Sequence, residues 1–479
     1  MTAVAQPLPL WSLALSEPGQ EFGPTPLNVL SGAIPAGLQG SLYRNGPGRL
    51  QRGGERVGHW FDGDGAILAV HFRSGKVTGL YRYVQTAGYQ AEEQAGRYRF
   101  GGYGMRAKRP GQAPKNAANT SVLALPDRLL ALWEAGLPHC LDLETLTTQG
   151  LDDLGQAGAL RAYSAHPKRD PLTGEIYNFG VELGRSRQRD GVLTATLHLY
   201  RSDIYGRIQA HARHPLPGLP LIHDFVLAGR YLVFLVPPVR LNPWPVLATL
   251  KSYSDSLYWD PHQATQVWIF DRQTLQRLSR NEMEPCFQWH FGHGYEDQEG
   301  AVIFTQVRYP NFATNRYLAE VVSGQTQTTA TATLWRIRLH PRSGQVLEAE
   351  PLLERPCEFP TVHPAQVGQP HRYLYLLLHR QSVDPSRDMF GSVGRVEVET
   401  GSLMEANLGV GRYPSEPLYA PDAEDPGRGW LLSVVFDGHQ NRSEVWIWDA
   451  AQLDQDPCCR LELPERIPLG FHGTWQPRS

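Results

Sequence analysis

The sequence predicts an all-β fold: a seven-bladed β-propeller with loops forming a cap over one face, residues 1–479 making one domain. Three observations predict it. One strand–turn–strand pattern recurs along the whole chain. Helical periodicity is scarce. Four histidines in short polar or aromatic settings lie between residues 166 and 472. Side chains so far apart meet only if the fold is circular or closed.

The hairpin pattern reads at residues 68–77, 140–146, 197–204, 267–275, 334–344, 394–401 and 445–453. Each is an alternating apolar run followed by a tight turn of Asp, Gly, Ser or Thr. Alternation is the strand period, and such turns between strands mark hairpins. About seven copies at spacings of roughly 50–70 residues suggest a propeller. Seven blades would use roughly 68 residues each, more than the roughly 40–50 of common propeller repeats. The excess must be loop, and loops of that length are usually functional. Residues 236–246, rich in proline with one tryptophan, are one such segment. The competing reading is two β-sandwich domains. The chain has no linker and no break in composition, which favours the propeller.

Composition narrows the function. The net charge is −3 and no long basic run occurs, so nucleic-acid binding is not expected. The five cysteines, at 140, 286, 357, 458 and 459, form no Cys-x-x-Cys pair and no dense scaffold, which suits a reducing cytosol. Residues 1–11 lack the basic start and apolar core of a signal peptide. No run reaches the roughly 18 apolar residues of a membrane span. A soluble, cytoplasmic protein is expected. One segment bears on peripheral membrane contact. Residues 241–250 could set Trp244, Val246, Leu247 and Leu250 on one side, between Arg240 and Lys251, as an interfacial anchor does. The other reading is a loop packed on its own core.

The four histidines are His166 (within residues 163–167), His223 (221–225), His290 (288–296) and His472 (470–475). Composition alone does not choose them from the 17 present. Spacing helps: the first three are about one blade apart, and the last follows about three blades later. Equivalent inner positions of successive blades would point at the axis, and a histidine cluster there suits iron, copper, nickel or zinc. Metal-bound histidine usually donates its other ring N–H to a carboxylate or carbonyl. Glu134, Glu358 and Glu416 stand in apolar or turn settings and are such carboxylates, or else partners of structural arginines.

With these residues the chain resembles the carotenoid cleavage oxygenase family over nearly its whole length. The likeness runs through residues 42–48, 59–65, 119–122, 131–146, 165–167, 290–296, 358–360, 413–417 and 470–473, in order. Each motif is weak alone; together they are specific. The resemblance implies a seven-bladed propeller with Fe(2+) on its axis, held by His166, His223, His290 and His472. Glu134 would hold His223, Glu358 would hold His290, and Glu416 would hold His472, leaving His166 without a glutamate. His293, three residues after His290, stands where relatives carry asparagine. Thr120 matches a small residue that crowds the open iron site in relatives.

The implied chemistry is dioxygenase chemistry. Four neutral imidazoles would leave the iron its full charge and two open positions, and O2 would add across a C=C bond of an apolar polyene to give two aldehydes. Within the family the chain looks most like bacterial enzymes that cut apocarotenals at the 15,15′ bond to give retinal. A stilbene-cleaving relative is the alternative, but those resemble one another in a lysine before the first glutamate. Here that position is Trp133, which suits polyene stacking or simple packing in the blade. A non-catalytic carotenoid-binding propeller is the further alternative.

Overall fold

The computed structural model describes residues 8–185 and 193–478. Residues 1–7, which belong to the segment read above for a leader pattern, lie outside the described residues. Seven antiparallel sheets follow one another and close into a ring, the expected seven-bladed propeller. Counting from the axis outward, blade 1 begins with the C-terminal strand Gly473–Pro477, followed by Gly40–Arg49, Asp64–Arg73 and Lys76–Tyr83, with Phe22–Pro26 at its outer edge. Blade 2 runs from Ser121–Ala124 to Thr148–Leu151, and blade 3 from Lys168–Arg169 to Ile208–Leu216. Blade 4 begins at Val226–Ala228, blade 5 at Phe291–Glu296 and blade 6 at Cys357–Thr361. Blade 7 begins with Arg412–Pro414 and Leu418–Pro421 and ends with Cys459–Glu462, capped by the N-terminal strand Asn28–Gly32.

Each of the seven repeated hairpins joins the third and fourth strands of its blade, the outer pair except in blades 1 and 7, where an N-terminal strand lies further out. In blade 4, for example, the run at 267–275 joins Thr265–Asp271 to Arg277–Met283. The burial patterns explain why these hairpins are legible. Outermost strands face solvent on alternate residues, as Ile208–Leu216 does. Middle strands are covered on both faces by adjacent blades, so Tyr231–Val236 is buried at every position and shows no alternation.

The ring closes at both chain ends. The C-terminal strand pairs with Gly40–Arg49, matching Leu42 to Trp475 and Arg44 to Gly473. The N-terminal strand Asn28–Gly32 pairs with Cys459–Glu462. Gly46 and Gly470 touch backbone to backbone at this seam. A Cβ on Gly46 would lie 2.4 Å from the Gly470 Cα, so the motif at 42–48 needs glycine there.

The loops between strands carry short helical pieces: Trp60–Asp62, Pro243–Leu247 and Ala313–Glu320. Residues from the first and third of these line the large cavity described below. Among the described residues no helix is long and apolar enough to cross a membrane. In the segment 241–250, Trp244 (65 % exposed) and Leu250 (69 %) face solvent with Leu247. Val246 does not join them, because it packs against the core between blades 3 and 4.

Candidate metal centre

Each of the four histidines stands one to three residues before the innermost strand of its blade. His166 precedes Lys168–Arg169, His223 precedes Val226–Ala228, His290 precedes Phe291–Glu296, and His472 precedes Gly473–Pro477. These innermost strands neighbour one another around the axis, so the side chains converge. All four are buried, and one nitrogen from each lies within 4.8 Å of the others. His293 is not in the cluster. It lies within the strand Phe291–Glu296, beside an irregularity in the pairing between Phe291 and His293.

The three remaining blades supply the carboxylates. Glu134 follows the second strand of blade 2, Glu358 lies in the innermost strand of blade 6, and Glu416 stands between the two inner strands of blade 7. Every blade therefore contributes one histidine or one glutamate to the axis. His290 Nδ1–H donates to Glu358 Oε2 at 2.6 Å, and His472 Nδ1–H donates to Glu416 Oε1 at 2.8 Å. Glu134 is looser, 3.3 Å from His223 Nδ1 and 3.7 Å from His166 Nε2.

Two of the carboxylates are held in turn. Glu358 accepts from the Tyr309 hydroxyl at 3.1 Å and from the Phe359 N–H at 2.6 Å. Glu416 accepts from the Gly473 N–H at 2.8 Å, and the Arg44 guanidinium lies 3.5 Å from its Oε2. Burial alone would push both carboxyls up, but the histidines and these donors outweigh it and hold both low. Burial holds His166 and His472 below the usual imidazole range, so they are neutral near pH 7. At His290 the Glu358 carboxylate outweighs burial and raises the imidazole. Tyr309 and Arg44 are supports that the sequence reading passed over. Arg44 lies in the motif at 42–48, inside the strand Gly40–Arg49, where nothing in the residue pattern marks it as a brace.

These residues fit a metal ion. The carboxylates occupy Nδ1 of His290 and His472, which leaves Nε2 for the axis. His290 Nε2 is buried without a hydrogen-bond partner, as is Glu134 Oε1. Nε2 of His166 faces Nε2 of His223 at 3.0 Å. Two nitrogens about 2.1 Å from one ion, at a right angle, stand about 3 Å apart. Four imidazoles suit iron, copper, nickel or zinc rather than magnesium or calcium. The Cys140, Cys286, Cys357, Cys458 and Cys459 thiols are all free, and none belongs to the cluster.

His223, His290 and His472 form one wall of a cavity that, with the solvent space at its mouth, holds about 980 Å³. Its other walls are mainly apolar and aromatic, with Phe61, Trp289, Phe359, Phe390 and Phe471 prominent. Thr120 lines it together with His223, His290 and His472. Trp133 does not. It lines a smaller neighbouring cavity of about 300 Å³, and Phe61 is common to both.

Comparison with known proteins agrees with this geometry. Residues 16–477 match the family model described as retinal pigment epithelial membrane protein. The apocarotenoid-15,15′-oxygenase of Synechocystis is 32 % identical, covering 93 % of this chain and 92 % of its own. The carotenoid 9,10(9′,10′)-cleavage dioxygenase 1 of Arabidopsis thaliana is 27 % identical, over 93 % of this chain and 85 % of its own. A crystal structure of cobalt-substituted Synechocystis apocarotenoid oxygenase superposes with a TM-score of 0.88 at 31 % identity, covering 98 % of both chains. The chain belongs to the retinal pigment epithelial membrane protein family, that of the carotenoid cleavage oxygenases.

Proposed function

We propose that residues 1–479 work as one β-propeller domain that binds Fe(2+) through His166, His223, His290 and His472. In this reading the enzyme cleaves the 15,15′ double bond of an apocarotenal to give retinal and a second aldehyde. The observation that carries it is the cluster of four buried imidazoles, three of which line a large aromatic cavity. The similarity to an apocarotenoid-15,15′-oxygenase over nearly the whole chain supports the choice of substrate.

Ferrous iron, when bound, supplies the activation of O2. Each carbon of the cleaved bond takes one oxygen atom, so the overall reaction needs no external reductant. The chain's own residues do the rest. Neutral imidazoles leave the metal charge uncompensated within the ligand shell. Glu358 and Glu416 fix the ring orientation of His290 and His472, and Glu134 does so more loosely for His223. Phe61, Trp289, Phe359 and Phe471 give the polyene an apolar, water-poor bed and hold one double bond beside the cluster. Thr120 narrows the space next to the histidines. Trp133, beyond Phe61, would contact the far part of a long substrate and carries no charge to pair with a phenolate.

The face of Trp244, Leu247 and Leu250 is assigned to the surface of a lipid bilayer, from which an apolar polyene would be drawn. The five free thiols support a cytoplasmic, reducing location.

The test is product analysis. Iron-loaded protein is incubated in air with an apocarotenal and, separately, with a hydroxystilbene, and the aldehydes are identified by mass spectrometry. Retinal from the apocarotenal alone is expected. Products from the stilbene alone would overturn the substrate assignment and keep the metal centre. Iron-loaded protein that cleaves neither would point to another polyene or an isomerase, and protein that neither cleaves nor binds iron would favour a carotenoid-binding role.

A further inference from the structure

Three of the four histidine-bearing segments meet at one carboxylate that lies outside the ligand set. Asp224 follows His223 directly and is 2 % exposed. Its Oδ1 accepts from Lys168 Nζ at 2.9 Å, and Lys168 is two residues past His166. Oδ1 also accepts from the Phe225 N–H at 2.8 Å. Its Oδ2 accepts from the Phe291 N–H at 3.1 Å, next to His290. One carboxylate thus joins the inner loops of blades 3, 4 and 5.

We propose that Asp224, charge-matched by Lys168, is a positioning residue that sets the mutual spacing of His166, His223 and His290. The innermost strands of blades 3 and 4 have two and three residues, which is little ladder to fix the loops before them. A buried carboxylate is costly unless it is paired and hydrogen-bonded. Here both oxygens are used by donors from three blades, so the group cannot shift without breaking a link between loops. His472 does not depend on this clasp. Its N–H donates to the Thr120 carbonyl at 3.3 Å and its carbonyl accepts from the Asn45 N–H at 2.8 Å, both at the ring seam. The four histidines are therefore placed by two devices: closure of the propeller for one, and the Asp224 carboxylate for the other three.

This inference rests on the reading that the histidines hold a metal. The experiment measures cobalt(II) binding to the metal-free full-length protein by chelator competition, together with the visible absorption of the bound cobalt. Asp224→Asn keeps the shape of the side chain and an acceptor for Phe291, but loses the charge pair. Lys168→Met removes the same pair from the other side, and Lys168→Arg restores the charge. Cobalt affinity is expected to fall about 10–100-fold in Asp224→Asn and Lys168→Met, with a shifted spectrum. Lys168→Arg should recover most of it. In the iron enzyme, kcat should fall while KM for the polyene stays unchanged. A folded Asp224→Asn or Lys168→Met protein with wild-type affinity and spectrum would overturn the proposal. Wild-type protein that binds no cobalt would overturn the metal assignment itself.

Discussion

The Nδ1 atom of His290 and the Oε2 atom of Glu358 lie 2.6 Å apart, across the boundary between blades 5 and 6. Glu416 makes the equivalent contact to His472 at 2.8 Å, whereas Glu134 stands 3.3 Å from His223. A carboxylate that fixes a ligand ring typically contributes about 10–100-fold to metal affinity. The shorter contacts should matter more. Replacing Glu358 or Glu416 with glutamine is expected to weaken iron binding toward the upper end of that range. Glu134→Gln should fall toward the lower end. Chelator competition on the three purified variants checks the order, and an equal or reversed order would count against it.

His472 and the C-terminal strand can be separated experimentally. His472→Ala should lose iron, with affinity reduced by at least about 100-fold, while the ring stays closed. Removing residues 470–479 takes away the innermost strand of blade 1 as well, including the pairing of Leu42 with Trp475. That protein should lose iron and also unfold at a lower temperature than metal-free wild type. Metal analysis and calorimetry on both variants distinguish the two effects. A truncated protein that kept its iron would remove His472 from the site.

Asp62, which is not one of the ligand or carboxylate residues of the centre, gives a pH signature of its own. Burial raises its carboxyl to about 6, although backbone N–H groups of Gly104 and His59 donate to it. A carboxyl raised in the folded state favours folding when protonated. Its contribution is fully present below the unfolded value of 3.8 and is lost as pH rises through about 6. The stability of wild type relative to Asp62→Asn should therefore be greatest near pH 4 and shrink by pH 7. Thermal unfolding of both proteins across that range is the measurement. A difference independent of pH would contradict the shift.

The exposed apolar face at Trp244 and Leu250 should act only in membrane contact. Trp244→Glu with Leu250→Glu is expected to abolish most binding to phospholipid vesicles in a flotation assay. Turnover of detergent-dispersed substrate should stay within about twofold, since neither side chain lines the cavity. Unchanged flotation would place the membrane contact elsewhere.

Much of the fold was legible because the outer hairpins carry the sequence signal. Strands such as Ile208–Leu216 alternate between solvent and core, and their turns are polar. The innermost strands at Lys168–Arg169 and Val226–Ala228 have only two and three residues, too few to show any period. That is why residue patterns alone could not select four histidines from 17. The family motifs did so, and they named the same four side chains that converge at the axis. The clasp at Asp224 escaped notice because its partners come from three separate blades. An aspartate beside His223 and a lysine two residues after His166 look like ordinary surface charges until the ring brings them together. The helix Ala313–Glu320 was missed for another reason. Its eight residues are too few for a convincing helical period, yet Thr314, Tyr317 and Leu318 line the cavity. Trp133, read as a possible substrate contact, lines the smaller cavity that adjoins the large one at Phe61.

Whether His166, His223, His290 and His472 hold one ferrous ion is decided by X-ray absorption on the active enzyme with metal quantification. About one iron per chain is expected, with a nitrogen-rich, imidazole-type ligand shell. Replacing any one of the four histidines with alanine should remove both the iron and turnover. A carboxylate-rich shell, or full turnover from protein without iron, would contradict that assignment.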